Sequence, residues 1–393
     1  MKYSILSLSI LASISAHIAQ ANDANRSISE ALMNGKTSIN TRTFYFNRSF
    51  DKPGKPDAEA LTIGGIIKYE SGKLGNFNLG FGYYGSHSLL NIIDRDKGGG
   101  TSILQSNGDD IAFLGEAYIS YDTGVNQVVI GRQRLTGSLM NDHDLRMLPS
   151  TYEAAVFRNK SLQDTTLELG YVARYSGFTS KLSGFDPQND SWGTGGLAYV
   201  SGKTRLGGAS IRGQYIETLD NNGQLDNYSY LDAKLPLSFG SKSYIKGQYG
   251  GTGYPASSDS RMYGLKAGSS FGNVDLALLY NKIEDNPFKA VEAGPMYSDW
   301  QQGYGKYEPS DAVGMQMIYH PVSKASIKLG YVDVESKKGD SFNDDTFTEF
   351  NLDAKYKLSK ASKIRIRYSK KNQDPSSNRE DRDDFRIIYY HNF

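Results

Sequence analysis

The sequence contains no cysteine, no excess of basic charge and, beyond its first residues, no long apolar run. The absence of cysteine among 393 residues excludes disulfide scaffolds, thiolate zinc sites and cysteine nucleophiles. No apolar run after the start approaches the roughly 18 positions that a membrane-spanning helix needs. The 44 basic residues are balanced by 43 acidic ones, so a nucleic-acid partner is not expected. What is present is an aromatic-rich composition, with 28 Tyr and 17 Phe, which favours strands.

The first residues have the pattern of a secretory signal peptide. Lys2 precedes an apolar stretch, and Ala19-Gln20-Ala21 has the small-x-small pattern that signal peptidase recognises. A buried N-terminal helix is the alternative, but the stretch has no helical face. The sequence therefore predicts a signal peptide over 1–21, followed by a short periplasmic segment over 22–36.

From residue 37 onward, large apolar residues recur at every second position in many short segments. In Phe77-Asn78-Leu79-Gly80-Phe81-Gly82-Tyr83 they occupy the odd positions. A period of two is typical of strands with one apolar face. Very short gaps between these segments alternate with longer polar gaps, which is the pattern of transmembrane β-barrels with short periplasmic turns and long extracellular loops.

Counting these gaps predicts the number of strands. Eight short turns and nine long loops join eighteen antiparallel strands over 37–393, so an all-β transmembrane barrel is expected. The segment around 154–158 is the weakest strand, which leaves sixteen strands as the alternative. The last residues alternate up to a terminal Phe393 and resemble the C-terminal strand of bacterial outer-membrane proteins. The predicted turns lie at 71–74, 122–125, 160–163, 201–204, 238–241, 272–273, 322–324 and 359–361.

Several stretches resemble one known family. Gly131-Arg132-Gln133-Arg134-Leu135, together with 141–153, is similar to the third-loop segment of OprD-like outer-membrane porins. Residues 29–36 and 44–50 resemble the start of the same family, especially its branch in Campylobacter- and Sulfurimonas-like bacteria. The resemblance implies an eighteen-stranded channel, monomeric or loosely trimeric, in the outer membrane of a Gram-negative bacterium. It also implies that loop 3, at about 133–153, folds inward as a constriction, and that basic residues of the inner wall guide anionic, carboxylate-bearing nutrients.

Alternation also places a strip of basic side chains on the inner wall. If Ile364 and Ile366 face lipid, their neighbours on the same strand face the lumen. Like charges side by side cost free energy, so such a strip indicates a function. The alternative is that these residues only solvate the wall or form pairs with Asp232, Asp353 and Glu349. The candidate pore-lining residues are Lys355, Lys357, Arg365, Arg367 and Arg386, with Arg174 and Lys266 elsewhere on the wall and Arg42 as a weaker candidate.

Loop 3 is too apolar for a loop in water, and its leucines and methionines predict packing against the inner wall. Asp142, Asp144 and Arg146 are then expected to project into the lumen. Arg132 and Arg134, at the strand end that leads into the loop, are also candidate constriction residues, although alternation does not place them. Opposed Asp and Arg groups would set up a transverse field that filters solutes by charge. The alternative is that the two aspartates hold the loop by accepting backbone N–H bonds.

The sequence therefore predicts a porin for passive diffusion of small hydrophilic solutes, with a preference for anionic ones. A general non-specific porin and a surface adhesin or receptor barrel are the alternatives, although even the longest loop, 282–310, is short for an adhesin. The histidines are scattered without the i, i+4 spacing of a metal site. We expect no enzyme activity, metal or cofactor. The expected partners are the solutes, outer-membrane lipid and lipopolysaccharide.

Overall fold

The protein is described here by a computed structural model. The expected signal peptide, 1–21, lies outside the described residues. Within the described part of the chain, no helix is long and apolar enough to cross a membrane. The described residues are 27–51, 55–89, 100–177, 195–219, 226–254, 257–291, 294–298, 301, 308–336, 346–375 and 380–393.

One short helix and eighteen strands make up the regular structure of the described residues. The helix, α1, is Ile28–Met33. The strands are β1 Lys36–Phe50, β2 Ala58–Glu70, β3 Phe77–Ser88, β4 Ile111–Asp122, β5 Asn126–Gln133, β6 Thr151–Asn159, β7 Thr166–Ser176, β8 Leu197–Leu206, β9 Ala209–Thr218, β10 Asn227–Pro236, β11 Ser241–Gly253, β12 Ser260–Phe271, β13 Val274–Glu284, β14 Ser310–Tyr319, β15 Ala325–Ser336, β16 Phe347–Lys357, β17 Ser362–Gln373 and β18 Arg382–Asn392.

The strands form one closed antiparallel barrel. Each strand pairs with its neighbours in the chain, and β1 pairs with β18 to close the sheet. Closure satisfies the backbone groups of every strand, which the hydrocarbon region of a membrane requires. The predicted count of eighteen is confirmed, because the weakest predicted segment, 154–158, lies within β6.

The two faces of the barrel differ as the alternation predicts. Outward positions carry large apolar side chains that lie exposed, such as Leu278 at 69% and Met315 at 57% exposure. A soluble protein would bury such residues, whereas a bilayer solvates them. Inward positions carry polar, charged and small residues, and also apolar side chains where the inner loops pack against the wall.

One predicted turn was misplaced. The connection expected at 201–204 lies inside β8, and the chain turns at Gly207 and Gly208 instead. Both glycines have positive φ, 54° and 84°. Two consecutive residues with positive φ form the two-residue hairpin turn that matches strand twist, and glycine adopts this conformation without strain. The glycine pair therefore indicates a turn more strongly than the segment 201–204 does.

The helix α1 lies at the turn end of the barrel. Ser27 Oγ accepts a hydrogen bond from the backbone N–H of Glu30 at 3.1 Å, and the Glu30 carboxylate accepts one from the Ser27 N–H at 3.0 Å. This reciprocal capping box fixes the start of the helix. The Gly72 N–H donates to the Ala31 carbonyl at 2.8 Å, which attaches α1 to the β2–β3 turn.

Candidate functional site

Loop 3, residues 134–150 between β5 and β6, lies inside the barrel. Leu139 and Met140 are fully buried in an apolar cluster with side chains of the inner wall. Met147 and Leu148, near the other end of the loop, pack in a second cluster that includes Phe44. These contacts bury the apolar residues that are out of place in a solvated loop. Loop 3 therefore narrows the lumen.

Ion pairs fix this loop to the wall. Asp144 contacts Arg42 of β1 at 2.6 Å, and Arg42 Nη1 also donates to the Arg146 carbonyl at 2.8 Å. Asp142 pairs with Arg134 at 2.6 Å, within the loop itself. Both carboxylates are therefore engaged by arginines, and Asp144 lies on the β1 side of the lumen rather than opposing the basic strip.

The position of loop 3 affects its ionisable groups. Burial, together with the nearby charges of Arg146, Arg367 and Arg386, lowers the pKa of His143 to about 4. Burial alone would raise the pKa of Asp144, but the hydrogen bond and charge of Arg42 outweigh it and hold that pKa below its usual value. At neutral pH the constriction thus carries a neutral His143 beside an ionised aspartate.

A second loop also folds inward, which the sequence reasoning missed. In the connection between β13 and β14, the Val291 N–H donates to the Leu139 carbonyl of loop 3 at 2.9 Å. Phe288 and Met296 are buried in the cluster around Leu139. Gln301 Nε2 donates to carbonyls of β16 and β17 at 3.0 and 2.9 Å. The sequence did contain a signal for this inward packing, namely the apolar residues Phe288, Val291 and Met296 in the longest loop.

The inward residues of β16, β17 and β18 form what we call the basic wall. Near the periplasmic turn its lysines are exposed, and Lys355 is 49% exposed. Arg365 forms a bidentate ion pair with Asp353, with hydrogen bonds of 2.8 and 2.5 Å to its two carboxylate oxygens. This wall comprises Lys355, Lys357, Lys363, Arg365, Arg367, Arg382 and Arg386, with Asp353 and Asp384 between them.

Deeper in the lumen, the basic wall is buried. Arg367 and Arg386 are direct partners across β17 and β18, and their exposures are 5% and 0%. The buried Asp384 accepts hydrogen bonds from Arg386 at 2.7 Å and from Arg48 of β1 at 2.7 Å. The guanidinium of Arg386 lies 4.3 Å from the Phe46 ring centroid. These arginines face inward, as alternation predicts, but they are covered.

Lys266 also faces the lumen, on β12. Its Nζ donates to Gln316 at 3.1 Å, and Lys246 is its direct partner on β11. Positive charge on the inner wall therefore extends beyond the basic wall. Lys246 and Lys328 follow the same alternation and could have been found from it.

Arg132 and Arg174 lie elsewhere. They pair across the sheet with Glu153 and share the outward face with Ile130 and Tyr171. The predictions that Arg174 lines the pore and that Arg132 belongs to the constriction were wrong. A β-bulge at Ala173 inserts one residue into β7, which reverses the alternation beyond it. The bulge leaves no clear mark in the sequence.

In a different sector of the lumen, the inward face of β2 and β4 carries more acidic than basic side chains, and the cavity beside it is also lined by Lys73, Arg134 and Arg158. Glu116 of β4 contacts Lys68 of β2 at 2.9 Å and accepts a hydrogen bond from the Tyr84 hydroxyl at 2.8 Å. We call the inward face formed by Lys68, Glu70, Glu116 and Asp122 the acidic wall. It borders a polar cavity of about 480 Å³ that reaches Arg134 at the start of loop 3.

Within the described ranges, no group of three or more His, Asp or Glu residues is placed to hold a metal ion. The lumen offers instead two oppositely charged sectors, separated by β1 around the barrel. Such an arrangement suits the passage and sorting of charged solutes.

Comparisons with known proteins agree with this geometry. The family model described as Gram-negative porin matches residues 61–376. No curated protein is significantly similar in sequence. Among solved structures, Pseudomonas aeruginosa OpdO has a TM-score of 0.76 and 17% identity, covering 94% of this chain and 99% of its own. Pseudomonas aeruginosa OpdK with vanillate has a TM-score of 0.77 and 17% identity, and the match covers 92% of this chain and 99% of OpdK. Acinetobacter baumannii OccAB2 has a TM-score of 0.78 and 16% identity, and the match covers 93% of this chain and 99% of OccAB2.

Proposed function

This chain belongs to the Gram-negative porin family and lies in the outer membrane, and we propose that its lumen favours small anionic, carboxylate-bearing solutes. Passage of small solutes follows from the family. The preference for anions is argued from the charges of the basic wall.

The observation that carries the proposal is the pair Arg367 and Arg386. The Nε and Nη1 atoms of both guanidiniums are buried without a hydrogen-bond acceptor among the described residues. Two like charges in direct cross-strand contact cost free energy, and so do buried donors without acceptors. Arg367 Nε lies 3.9 Å from Asp353 Oδ2, beyond hydrogen-bond distance. A carboxylate that reached this position would offset both costs, because it accepts the hydrogen bonds and neutralises the charge.

The remaining basic residues supply a route to that pair. Lys357 and Lys363 are cross-strand partners next to the periplasmic turn, and Arg365 lies between them and Arg367. A series of cations on one wall lets an anion move between neighbouring sites of similar affinity, which conduction requires. The OpdK structure that shares this fold contains vanillate, a carboxylate.

Other assignments are part of the proposal. The sequence of 29–36 supports the branch found in Campylobacter- and Sulfurimonas-like bacteria, and a monomer or loose trimer is expected. We expect channel function without enzyme activity. Loop 3 and the β13–β14 loop both fold inward over their described residues, which favours a channel over a surface adhesin.

The test is the double variant Arg365→Gln/Arg367→Gln in planar bilayers under a salt gradient. Each charge is worth about 1 kcal/mol to an anion at contact distance in water. Losing both charges, about 2 kcal/mol together, predicts a fall of about thirtyfold in the anion-to-cation permeability ratio, and slower carboxylate flux. Lys370→Gln is the matched control, because Lys370 lies on the outward face of the same strand.

Unchanged ion preference in the double variant would contradict the proposal and support a general, non-selective porin. An equal shift in the Lys370 control would show that the effect is not specific to the lumen.

A further inference from the structure

A second group of basic side chains lies inside the barrel, on the wall formed by β8 to β11, away from the basic wall. We call it the periplasmic basic cluster, and it lines one cavity of about 540 Å³. The carboxylates that line the same cavity are those of Asp164 and Asp232. The anion preference proposed above rests on β16 to β18 and leaves this cluster unexplained. The cluster comprises Lys203, Arg205, Arg212, Lys234 and Lys246.

The position of the cluster along the pore follows from the turns and from loop 3. Arg205 lies just before the β8–β9 turn, and Lys234 lies just before the β10–β11 turn. Short turns of this kind lie on the periplasmic side. Gln214, two residues beyond Arg212 on β9, accepts a hydrogen bond from the Leu139 N–H of loop 3 at 2.7 Å. The cluster therefore lies on the periplasmic side of the constriction, where a solute arrives once it has passed loop 3.

Three lysines form a row across neighbouring strands of this wall. Lys246 of β11 is the direct cross-strand partner of Lys234 on β10 and of Lys266 on β12. Directly opposed side chains have Cβ atoms about 4.5–5.5 Å apart, and like charges in this position are destabilising. The Lys234 Nζ lies 4.6 Å from the centroid of the Tyr244 ring. The Lys266 Nζ donates a hydrogen bond to Gln316 at 3.1 Å. A phenol and an amide are uncharged at neutral pH, so neither removes the repulsion within the row.

One buried carboxylate lies among these cations. Asp232 is 4% exposed and accepts hydrogen bonds from Arg212 Nε at 2.7 Å and from Arg212 Nη2 at 3.0 Å. The Lys246 Nζ lies 3.7 Å from the same carboxylate. Arg212 also contacts the Tyr230 hydroxyl, yet its side chain is still 51% exposed. Asp232 thus holds Arg212 in place, but its single charge is shared by two cations.

The balance of charge around the cavity is therefore positive. Over the described residues, five cations and two carboxylates line it. Lys203, Arg205 and Lys234 are exposed to the lumen and form no ion pair with another described residue. Asp164 contacts the cluster through its backbone, since its carbonyl accepts a hydrogen bond from the Arg205 N–H at 3.3 Å. A single negative charge on a solute would neutralise only part of this excess.

The chemistry of these groups suits a phosphate better than a carboxylate. A lysine ammonium carries three N–H donors and no acceptor, and lysine binds phosphate as a point charge. A phosphate ester carries a charge of about −1.5 to −2 at neutral pH and three strong acceptor oxygens, whereas a carboxylate carries one charge and two oxygens. Ser210, the direct partner of Lys234 on β9, adds a hydroxyl group beside the row. Several donors and an excess of positive charge therefore meet at one cavity.

We propose that the periplasmic basic cluster binds a phosphate group, either of inorganic phosphate or of a small phosphate ester, on the periplasmic side of loop 3. Lys234 and Lys246 bind the phosphate oxygens directly, which removes their mutual repulsion. Arg212, held by Asp232, presents its exposed edge to the same cavity. The site is separate from the basic wall, so it does not depend on the carboxylate preference proposed for that wall.

The experiment measures block of the chloride current through single channels of the purified full chain in a planar bilayer. Inorganic phosphate is added to both sides at neutral pH, and the concentration that halves the chloride current is determined. Lys234→Gln/Lys246→Gln is expected to raise this concentration by about thirtyfold, because two charges at contact distance from an anion are removed. Glycerol phosphate is used in a second series. The same rise there assigns the site to phosphate groups in general, and a rise for inorganic phosphate alone assigns it to the free anion.

Two controls accompany the double variant. Lys360→Gln is the matched control, because Lys360 is an exposed lysine of the β16–β17 turn at the same end of the barrel. It is expected to leave the half-blocking concentration of phosphate unchanged. Acetate replaces phosphate in the second control and is expected to change by about fivefold at most in the double variant, since its one charge engages a single lysine.

An unchanged half-blocking concentration in the double variant would overturn the proposal. An equal change for acetate and phosphate, or an equal rise in the Lys360 control, would also overturn it, because either would indicate a general positive potential. If the double variant does not fold, Lys234→Gln serves instead, since Lys234 is exposed and forms no ion pair with a described residue. Carboxylate flux in the Arg365→Gln/Arg367→Gln variant tests the basic wall separately, so either proposal can fail without the other.

Discussion

The charged side chains of the basic wall and of the acidic wall are stabilised in different ways. On the basic wall, Asp353 and Asp384 stand between arginines, and Asp384 is fully buried. On the acidic wall, Lys68 stands between Glu70 and Glu116, at 3.4 and 2.9 Å, beside an open polar cavity. In each sector, the residues of the less common charge, Asp353 and Asp384 or Lys68, thus form ion pairs with the residues of the opposite charge around them.

Both walls contain buried charges, since Glu116 is only 3% exposed, and the difference lies in how fully those charges are paired. Charges beside a water-filled cavity are screened, whereas buried charges require a partner with good hydrogen-bond geometry. The basic wall runs beneath loop 3 and is buried where the lumen is narrowest. Its carboxylates are therefore structural, and Arg367 and Arg386 keep guanidinium nitrogens that have no acceptor among the described residues.

The largest effect is expected for Asp384→Asn. This substitution removes the only charge that compensates Arg48 and Arg386 within hydrogen-bond distance among the described residues. Removing one partner from a buried ion pair costs about 3–5 kcal/mol. The free energy of unfolding, measured by urea titration in detergent, is expected to fall by that amount.

Glu116→Gln is the comparison for this experiment. Its amide can still bond to Tyr84, and Lys68 keeps Glu70 as a partner. We expect a loss of stability well below that of Asp384→Asn. An equal loss in both variants would break the distinction between the two walls.

Much of the barrel could be predicted from the sequence, because alternation and gap length report directly on faces and turns. The inward orientation of Lys266 and Lys355 follows from the same pattern. Arg174 could not be placed, because a single inserted residue in β7 reverses the alternation. Burial of Arg386 could not be predicted either, since it depends on where loop 3 lies in three dimensions.

Smaller changes in ion selectivity are expected when a single charge is removed from either wall, and the two changes should have opposite signs. Lys355→Gln removes an exposed cation from the basic wall, and Glu116→Gln removes an anion from the acidic wall. The charge of Lys355 is exposed and worth about 0.2–1 kcal/mol, so the anion-to-cation permeability ratio should change by about fivefold at most, and we expect no larger change from Glu116, which is 3% exposed and paired with Lys68. The ratio should fall for Lys355→Gln and rise for Glu116→Gln, as measured from reversal potentials. Shifts of the same sign would show that the walls do not act separately on ions.

The effect that is smallest at neutral pH concerns His143. The pKa of His143 in the folded barrel is about 4, below the usual value of 6.5. The unfolded chain therefore binds the proton more readily, and stability falls as pH decreases from about 6.5 toward 4. Protonation would place a new charge beside Arg146, Arg367 and Arg386, which weakens the docking of loop 3 onto the basic wall.

His143→Asn tests this dependence. His143 has a φ of 41°, and asparagine tolerates that left-handed conformation better than most residues. Stability is measured between pH 7 and pH 4 for both proteins. Asp144 has a lowered pKa and contributes to both, so the difference between the two curves isolates His143. We expect the wild type to lose more stability than the variant as the pH falls. Parallel curves would show that His143 does not titrate within the docked loop, and that acid acts on the basic wall through its carboxylates alone.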